Sequence, residues 1–209
     1  MKLIVTSDIH EDLNISKRLI ESIKKENPDL VVLLGDLGEF GNVPRKLIGS
    51  LLKYIENEKI LVVLGNHETP EMAEFLSKKY NIRAVYKYLL KLDNINFICI
   101  GGADMPLFMV SDSDINSFLN SIKEDIKDKK VVVLSHIHPR YTKSSLIGGG
   151  SIALYNFIKY YKPLAVIHGH IHETGGLEEI LHKTKVVNTA RSIFLVNIKE
   201  DKVDVKKLS

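Results

Sequence analysis

At 209 residues, with 44% hydrophobic and 26% charged side chains, the chain has ordinary globular composition, which excludes disorder and leaves room for a core without disulfide staples. A net charge of +3, with lysines and acids interspersed, excludes the basic stripe of a dedicated nucleic-acid binder and leaves room only for a local patch. The single cysteine, Cys99, excludes an intrachain disulfide framework, and no run approaches the roughly 18 apolar residues of a membrane span.

The opening run Met1 to Val5 is too short for a signal peptide, so a soluble cytoplasmic protein is expected. The first 80 residues read as strand, helix, strand, helix, strand, helix. Ile15, Leu19, Ile20 and Ile23 repeat at helical spacing and Pro28 closes that element; Leu47, Leu51, Leu52 and Ile55 repeat likewise after Pro44. Thr69-Pro70-Glu71 starts a third helix, with Thr69 as N-cap and Pro70 at the first helical position. Such alternation predicts a parallel sheet with right-handed crossovers. The middle differs: Arg83 to Leu92 and Ile95 to Ile100 read as two strands joined by the turn Asp93-Asn94, and so as an antiparallel pair. Gly101-Gly102 breaks the run, 103–113 reads as a loop, and Ile115 to Ile126 as a helix capped by Asp112 or Asp114. A second loop, 140–151, contains Gly148-Gly149-Gly150 and precedes a helix over Ile152 to Tyr161. Strands are expected over Lys185 to Asn188, Ile193 to Ile198 and Lys202 to Lys207, the last two forming a hairpin. No repeat, linker or low-complexity segment interrupts the chain, so a single domain over 1–209 is the simplest account.

Five of the apolar runs stop at residues that bind metals. They lead into Asp8-Ile9-His10, Gly35-Asp36, Gly65-Asn66-His67-Glu68, Ser135-His136 and His168-Gly169-His170-Ile171-His172. A buried strand ends with its apolar run, and in open α/β sheets ligands gather at that carboxyl edge. In an extended segment residues i and i+2 share a side, so Asp8 and His10 would face one cation; His170 and His172 have the same spacing. Taken singly, each of these is better explained as a turn residue, a cap or a surface histidine. Together they would set uncompensated carboxylates beside a core, which is costly without a counter-charge. Asp, Asn and His donors without cysteine suit first-row divalent cations.

In this order, Asp-x-His, Gly-Asp, Gly-Asn-His-Glu, a strand-terminal His and Gly-His-x-His closely resemble the calcineurin-like metallophosphoesterases from Asp8 to His172. The resemblance implies an α/β fold, a four-layer αββα sandwich of two mixed β-sheets flanked by helices. It assigns Asp8, His10, Asp36 and His172 to one metal and Asp36, Asn66, His136 and His170 to the other. Two divalent transition-metal ions are implied, manganese first and iron, zinc, nickel or cobalt as alternatives. The implied reaction is hydrolysis of phosphate esters by in-line attack of a metal-bridging hydroxide, with His67 stabilising or protonating the leaving oxygen. In the protein-phosphatase branch a carboxylate from Gly-Asp-x-x-Asp-Arg-Gly supports that histidine. Here the run is Gly35-Asp36-Leu37-Gly38-Glu39-Phe40-Gly41, so Glu39 is the candidate partner, with a solvated loop carboxylate as the alternative. Phe40 replaces a phosphate-binding arginine of that branch, and Leu64 stands where it carries another. Both departures favour small or nucleotide-like phosphodiesters as substrates over phosphoproteins. A phosphomonoesterase is the runner-up; a nuclease or a catalytically silent scaffold ranks lower.

Around this set, Glu68 suits helix-start electrostatics as well as catalysis. Arg140 suits a surface salt bridge or a phosphate clamp. His138 stays outside the ligand set, His168 packs within its strand and His182 faces solvent, while Asn188 and Arg191 return toward the site in an undetermined direction. The loops 103–113 and 140–151 are expected to select substrate. Asp104, Met105, Pro106, Leu107 and Phe108 would form a wall or lid, or the apolar ones would fold onto the core or meet another subunit. Triglycine argues for mobility, or for close backbone contact.

Overall fold

The computed structural model describes residues 1–42 and 44–208, with Ile147 described by its backbone alone. Val43 and Ser209, inside the expected single domain, lie outside the described residues. Among the described residues twelve strands form two mixed six-stranded sheets. The first orders β12 (Lys202–Lys207), β11 (Phe194–Lys199), β1 (Lys2–Thr6), β2 (Leu30–Leu33), β3 (Ile60–Val63) and β4 (Arg83–Val85). Within it β1 to β4 are parallel, and β11 and β12 complete the sheet as an antiparallel hairpin. The second orders β5 (Lys87–Leu92), β6 (Ile95–Ile100), β7 (Lys130–Ser135), β8 (Ala165–His168), β10 (Thr184–Asn188) and β9 (Glu178–Leu181). Its four inner strands are parallel and its edges antiparallel.

Side-chain alternation along the strands builds the layers. Leu3 and Val5 point with Leu30, Val32 and Leu34 toward Phe97, Cys99, Leu134 and Ile167 of the other sheet, closing one core between the sheets. Ile4, Val31, Leu33 and Val62 point the opposite way, onto the helices α1 (Leu13–Glu26), α2 (Arg45–Leu51) and α3 (Pro70–Tyr80). Ile98, Ile100, Val131 and Val133 do the same toward α4 (Asp112–Ser121), α5 (Lys123–Ile126) and α6 (Ile152–Tyr161). Strands buried on both faces read as continuous apolar runs, which is why they were visible as such. The result is the expected four-layer α/β sandwich. Among the described residues no helix is long and apolar enough to cross a membrane.

Several local expectations need correction. Arg83 to Leu92 is not one strand but two, in different sheets: Arg83 to Val85 pairs parallel with β3, and Lys87 to Leu92 pairs antiparallel with β6. The chain passes between sheets at Tyr86, where no glycine or proline marks the change. The expected helix over 115–126 begins at Asp112 and divides at Ile122 into α4 and α5. Its cap is neither Asp112 nor Asp114 but Ser111, which accepts from the Asp114 N–H while the Asp114 carboxylate accepts from the Ser111 N–H, a reciprocal capping box. Asp112 instead accepts from Ile152 and Ala153 N–H groups and so joins the starts of α4 and α6. Strand β9, with its alternating exposed and half-buried residues, was not anticipated.

Candidate metal centre

All five motif segments lie just beyond the carboxyl ends of parallel strands: after β1, β2 and β3 in one sheet and β7 and β8 in the other. The segments after β1 and β8 are not extended, however. Asp8 (φ 54°), His10 (φ 45°) and His170 (φ 73°) are left-handed, as is Asp36 (φ 51°). Sharp turns, not strand alternation, bring Asp8 beside His10, and they carry His170 to Asp36 and His136 while His172 joins Asp8 and His10. Such backbone is sparsely populated for residues with a Cβ and concentrates at functional sites. It is held here by the neighbouring strand end: the Asp8 N–H donates to Gly35 carbonyl at 2.9 Å and the His10 N–H to Asp36 carbonyl at 3.0 Å.

Three groups of donors each gather within 4.8 Å: Asp8, His10 and His172; His10, Asp36 and His67; Asp36, His136 and His170. Asp36 is common to two of them, and the groups form one continuous cup. His136 is fully buried; its Nδ1–H donates to the Leu34 carbonyl at 2.7 Å, which turns Nε2 toward Asn66 Oδ1 at 3.1 Å and Asp36 Oδ2 at 3.4 Å. The Asn66 amide is oriented by donating to the Pro106 carbonyl at 3.1 Å, leaving Oδ1 to face the cup. Asp8 accepts from the His170 N–H at 3.0 Å and lies 3.2 Å from His172 Nε2. Second partners of this kind fix ring orientation and ligand basicity in metal sites.

His67 lies over the cup, its Nε2 3.8 Å from Asp36 Oδ2, and its backbone N–H donates to Asp36 Oδ1 at 2.9 Å. Phe40 stacks on its ring with centroids 4.0 Å apart. Glu39, half-exposed, stands between two imidazoles, 3.4 Å from His10 Nδ1 and 3.9 Å from His67 Nδ1. It is therefore closer to His10 than to the histidine it was expected to support.

The electrostatics suit cations. Burial opposes charge on Asp8 and Asp36, yet His172 and His136 hold Asp8, and His136 and His67 hold Asp36, below the ordinary carboxylate range. Burial also pulls His136 down, but Asp36 and Asp8 outweigh it and raise it to about 10. Burial keeps His10 below its ordinary value. Among the described residues three ring nitrogens, His10 Nε2, His67 Nδ1 and His138 Nδ1, are buried with no hydrogen-bond partner, and His10 Nε2 faces Asp36 Oδ2 at 3.9 Å. The orphaned imidazole nitrogen of His10, buried carboxylates and a neutral amide oxygen aimed into one cup fit a pair of first-row divalent cations.

Glu68 is neither a helix-start acid nor a group facing the cup. It is fully buried and accepts from the N–H groups of Asp36 (2.9 Å), Leu37 (2.7 Å) and Gly65 (2.7 Å), tying two ligand loops together. Burial, then the charge of Asp36, raises its pKa against those three donors. Among the described residues Arg140 forms no salt bridge; it donates to the Gly149 carbonyl at 2.8 Å. His138 is buried and stacks on His170. His168 is buried at the end of β8, its Nδ1 2.9 Å from the Gly169 carbonyl, and His182 is exposed. Asn188 reaches under the site to donate to the Ile171 carbonyl at 2.7 Å, and Arg191 turns outward to Asp12 at 3.1 Å. Asp104 joins the site through His170, 3.3 Å from its Nε2; that bond, above all, holds Asp104 below the carboxylate range. No spacing in the sequence signals this contact, since 66 residues separate the pair.

Residues 1–174 match the family model described as calcineurin-like phosphoesterase. Along the whole chain, the uncharacterized protein MJ1162 of Methanocaldococcus jannaschii is 26% identical, covering 97% of this chain and 94% of its own. In structure, TT1561 of Thermus thermophilus aligns over 100% of this chain and 99% of its own, at 19% identity and a TM-score of 0.75. A protein described as a novel archaeal phosphodiesterase aligns over 100% of both chains, at 17% identity and a TM-score of 0.61.

Proposed function

The chain belongs to the calcineurin-like phosphoesterase family of metal-dependent hydrolases, and from that premise we propose that it cleaves small or nucleotide-like phosphodiesters. The observation that carries this reading is the cavity beside the cup, about 430 Å³, within the range of small-ligand sites. Among the described residues its lining includes the carboxylates of Asp104 and Glu173 and contains no lysine or arginine. A monoester dianion there would face two carboxylates without a protein cation to offset them. A diester brings a single negative charge, and its second ester arm can lie along Met105 and Ile171, which line the same cavity.

In this reading Asp8, His10, Asp36 and His172 would hold one cation, and Asp36, Asn66, His136 and His170 the other. Two such cations, when bound, polarise phosphoryl oxygens and lower the pKa of a bound water. His67 is the general acid. Glu39 stands 3.9 Å from its Nδ1, and Phe40 covers one face of the ring. The proton at Nε2, on the side of Asp36, passes to the departing ester oxygen as its bond to phosphorus breaks, so the product leaves as a neutral alcohol.

The test is hydrolysis of bis-p-nitrophenyl phosphate and p-nitrophenyl phosphate with Mn, Ni or Zn added. The diester is expected to turn over faster with at least one of the metals. A faster monoester would replace this reading by phosphomonoester hydrolysis, and no turnover of either would leave a scaffold.

A further inference from the structure

Each glycine of the Gly148-Gly149-Gly150 run is fastened by a different side chain. His138 Nε2 lies 3.3 Å from the Gly148 carbonyl, Arg140 Nη1 donates to the Gly149 carbonyl at 2.8 Å, and the Gly150 N–H donates to Asp104 Oδ2 at 2.9 Å. Gly149 has a φ of +66°, and a Cβ there would meet Asp104 Oδ2 at 2.4 Å. Glycine is thus required where the loop closes over the carboxylate, and close backbone contact, not freedom, accounts for the triglycine. The second oxygen of Asp104 points the other way, 3.3 Å from His170 Nε2.

We propose that Asp104 is the positioning residue of the metal centre: it holds His170 in one tautomer and ties it to the 148–150 loop. This inference rests on the reading of His170 as a metal ligand. A carboxylate is an acceptor only, so the hydrogen it receives must sit on His170 Nε2. That leaves the lone pair on Nδ1 for a cation, and the negative partner increases its basicity. The following residues hold a second donor of the same group. The Pro106 carbonyl accepts from the Asn66 side-chain amide at 3.1 Å, and the Leu107 and Phe108 N–H groups both donate to the Asn66 carbonyl at 3.0 Å. Residues 104–108 therefore brace the side chains of Asn66 and His170, both expected at one cation, whereas Asp8 is braced by His172 Nε2 and by the backbone N–H of His170, with no side-chain contact to Asp104 among the described residues. Removing the Asp104 carboxylate should weaken one of two cation sites and spare the other.

The experiment is calorimetric titration of the purified, metal-stripped full chain with Mn²⁺, comparing wild type with Asp104→Asn and Asp104→Ala. Wild type is expected to take up two cations. Each variant should lose roughly 10- to 100-fold in affinity at one site, with Asn, which keeps one acceptor oxygen, losing less than Ala. The other site and the urea midpoint in EDTA should match wild type. Wild type binding two cations with both variants unchanged would overturn the role of Asp104 and leave the metal reading standing. Equal weakening of both sites with a lowered midpoint in EDTA would also overturn it, as a general loss of structure. Wild type that binds no Mn²⁺ would remove the metal reading, and this inference with it.

Discussion

His67 and Glu68 are neighbours with opposite fates, and the contrast shows how one tetrapeptide, Gly65-Asn66-His67-Glu68, does two jobs. Glu68 points away from the cup and gathers three backbone N–H groups from two ligand loops. It works as a rivet, since buried N–H groups need an acceptor and a carboxylate has two oxygens to offer. His67 points over the cup, with Nδ1 toward Glu39 and Nε2 toward Asp36. If it protonates the leaving oxygen, its loss should matter most where the leaving group is poor. His67→Ala and His67→Gln are expected to lower kcat by roughly 10²- to 10⁴-fold on alkyl phosphodiesters. On nitrophenyl esters, whose leaving groups need little protonation, the loss should be at least tenfold smaller. Equal losses on both, measured as kcat under saturating Mn²⁺, would show that His67 does not act as the acid.

The elements that carry ligands were legible because each is a buried strand followed at once by polar donors, and β1, β2, β3, β7 and β8 all appear as apolar runs. What escaped reading lies where no residue type marks the event. The step between sheets at Tyr86 carries no turn residue, and β9 is half exposed with no apolar run. Asp8, His10, Asp36 and His170 are left-handed without being glycine, a conformation set by tertiary contacts that local propensity does not report. At Gly65 the reason for glycine is close packing. A Cβ on Gly65 would sit 2.1 Å from Asp36 Oδ1 and 2.5 Å from its backbone nitrogen, with no flexible neighbour to yield. Gly65→Ala should therefore cost about 1–3 kcal/mol in urea unfolding and displace Asp36. Gly49 inside α2 meets nothing within 4 Å. Gly49→Ala should stabilise by about 0.5–1 kcal/mol. Equal effects of the two substitutions would contradict this packing of the β2 and β3 loops.

At the scale of the whole molecule, the cup joins the two sheets, because its donors come from the carboxyl edges of both. The histidines packed around that junction link the stability of the fold to pH in two opposite senses. Burial drives His168 down to about 3 and His138 to about 4, so both are neutral in the folded chain. An unfolded histidine takes up a proton near pH 6.5, so between about pH 6.5 and pH 4 the unfolded state binds more protons. Stability must then fall as pH falls through this window, by on the order of 2 kcal/mol at pH 5 for His168 alone. His136 acts the other way: Asp36 raises it to about 10 against the pull of burial, so its contribution is complete below pH 6.5 and fades as pH rises toward 10. The metal-free protein should be most stable near pH 6.5, falling on both sides. Urea midpoints in EDTA, which takes cation binding out of the comparison, should trace that maximum from pH 4.5 to 9. His168→Asn, which keeps a donor for the Gly169 carbonyl, should flatten the acid limb and leave the alkaline limb unchanged. An acid limb as steep in the variant as in wild type would mean that the proton is taken up elsewhere, and that His168 is not what sets the lower edge of the range.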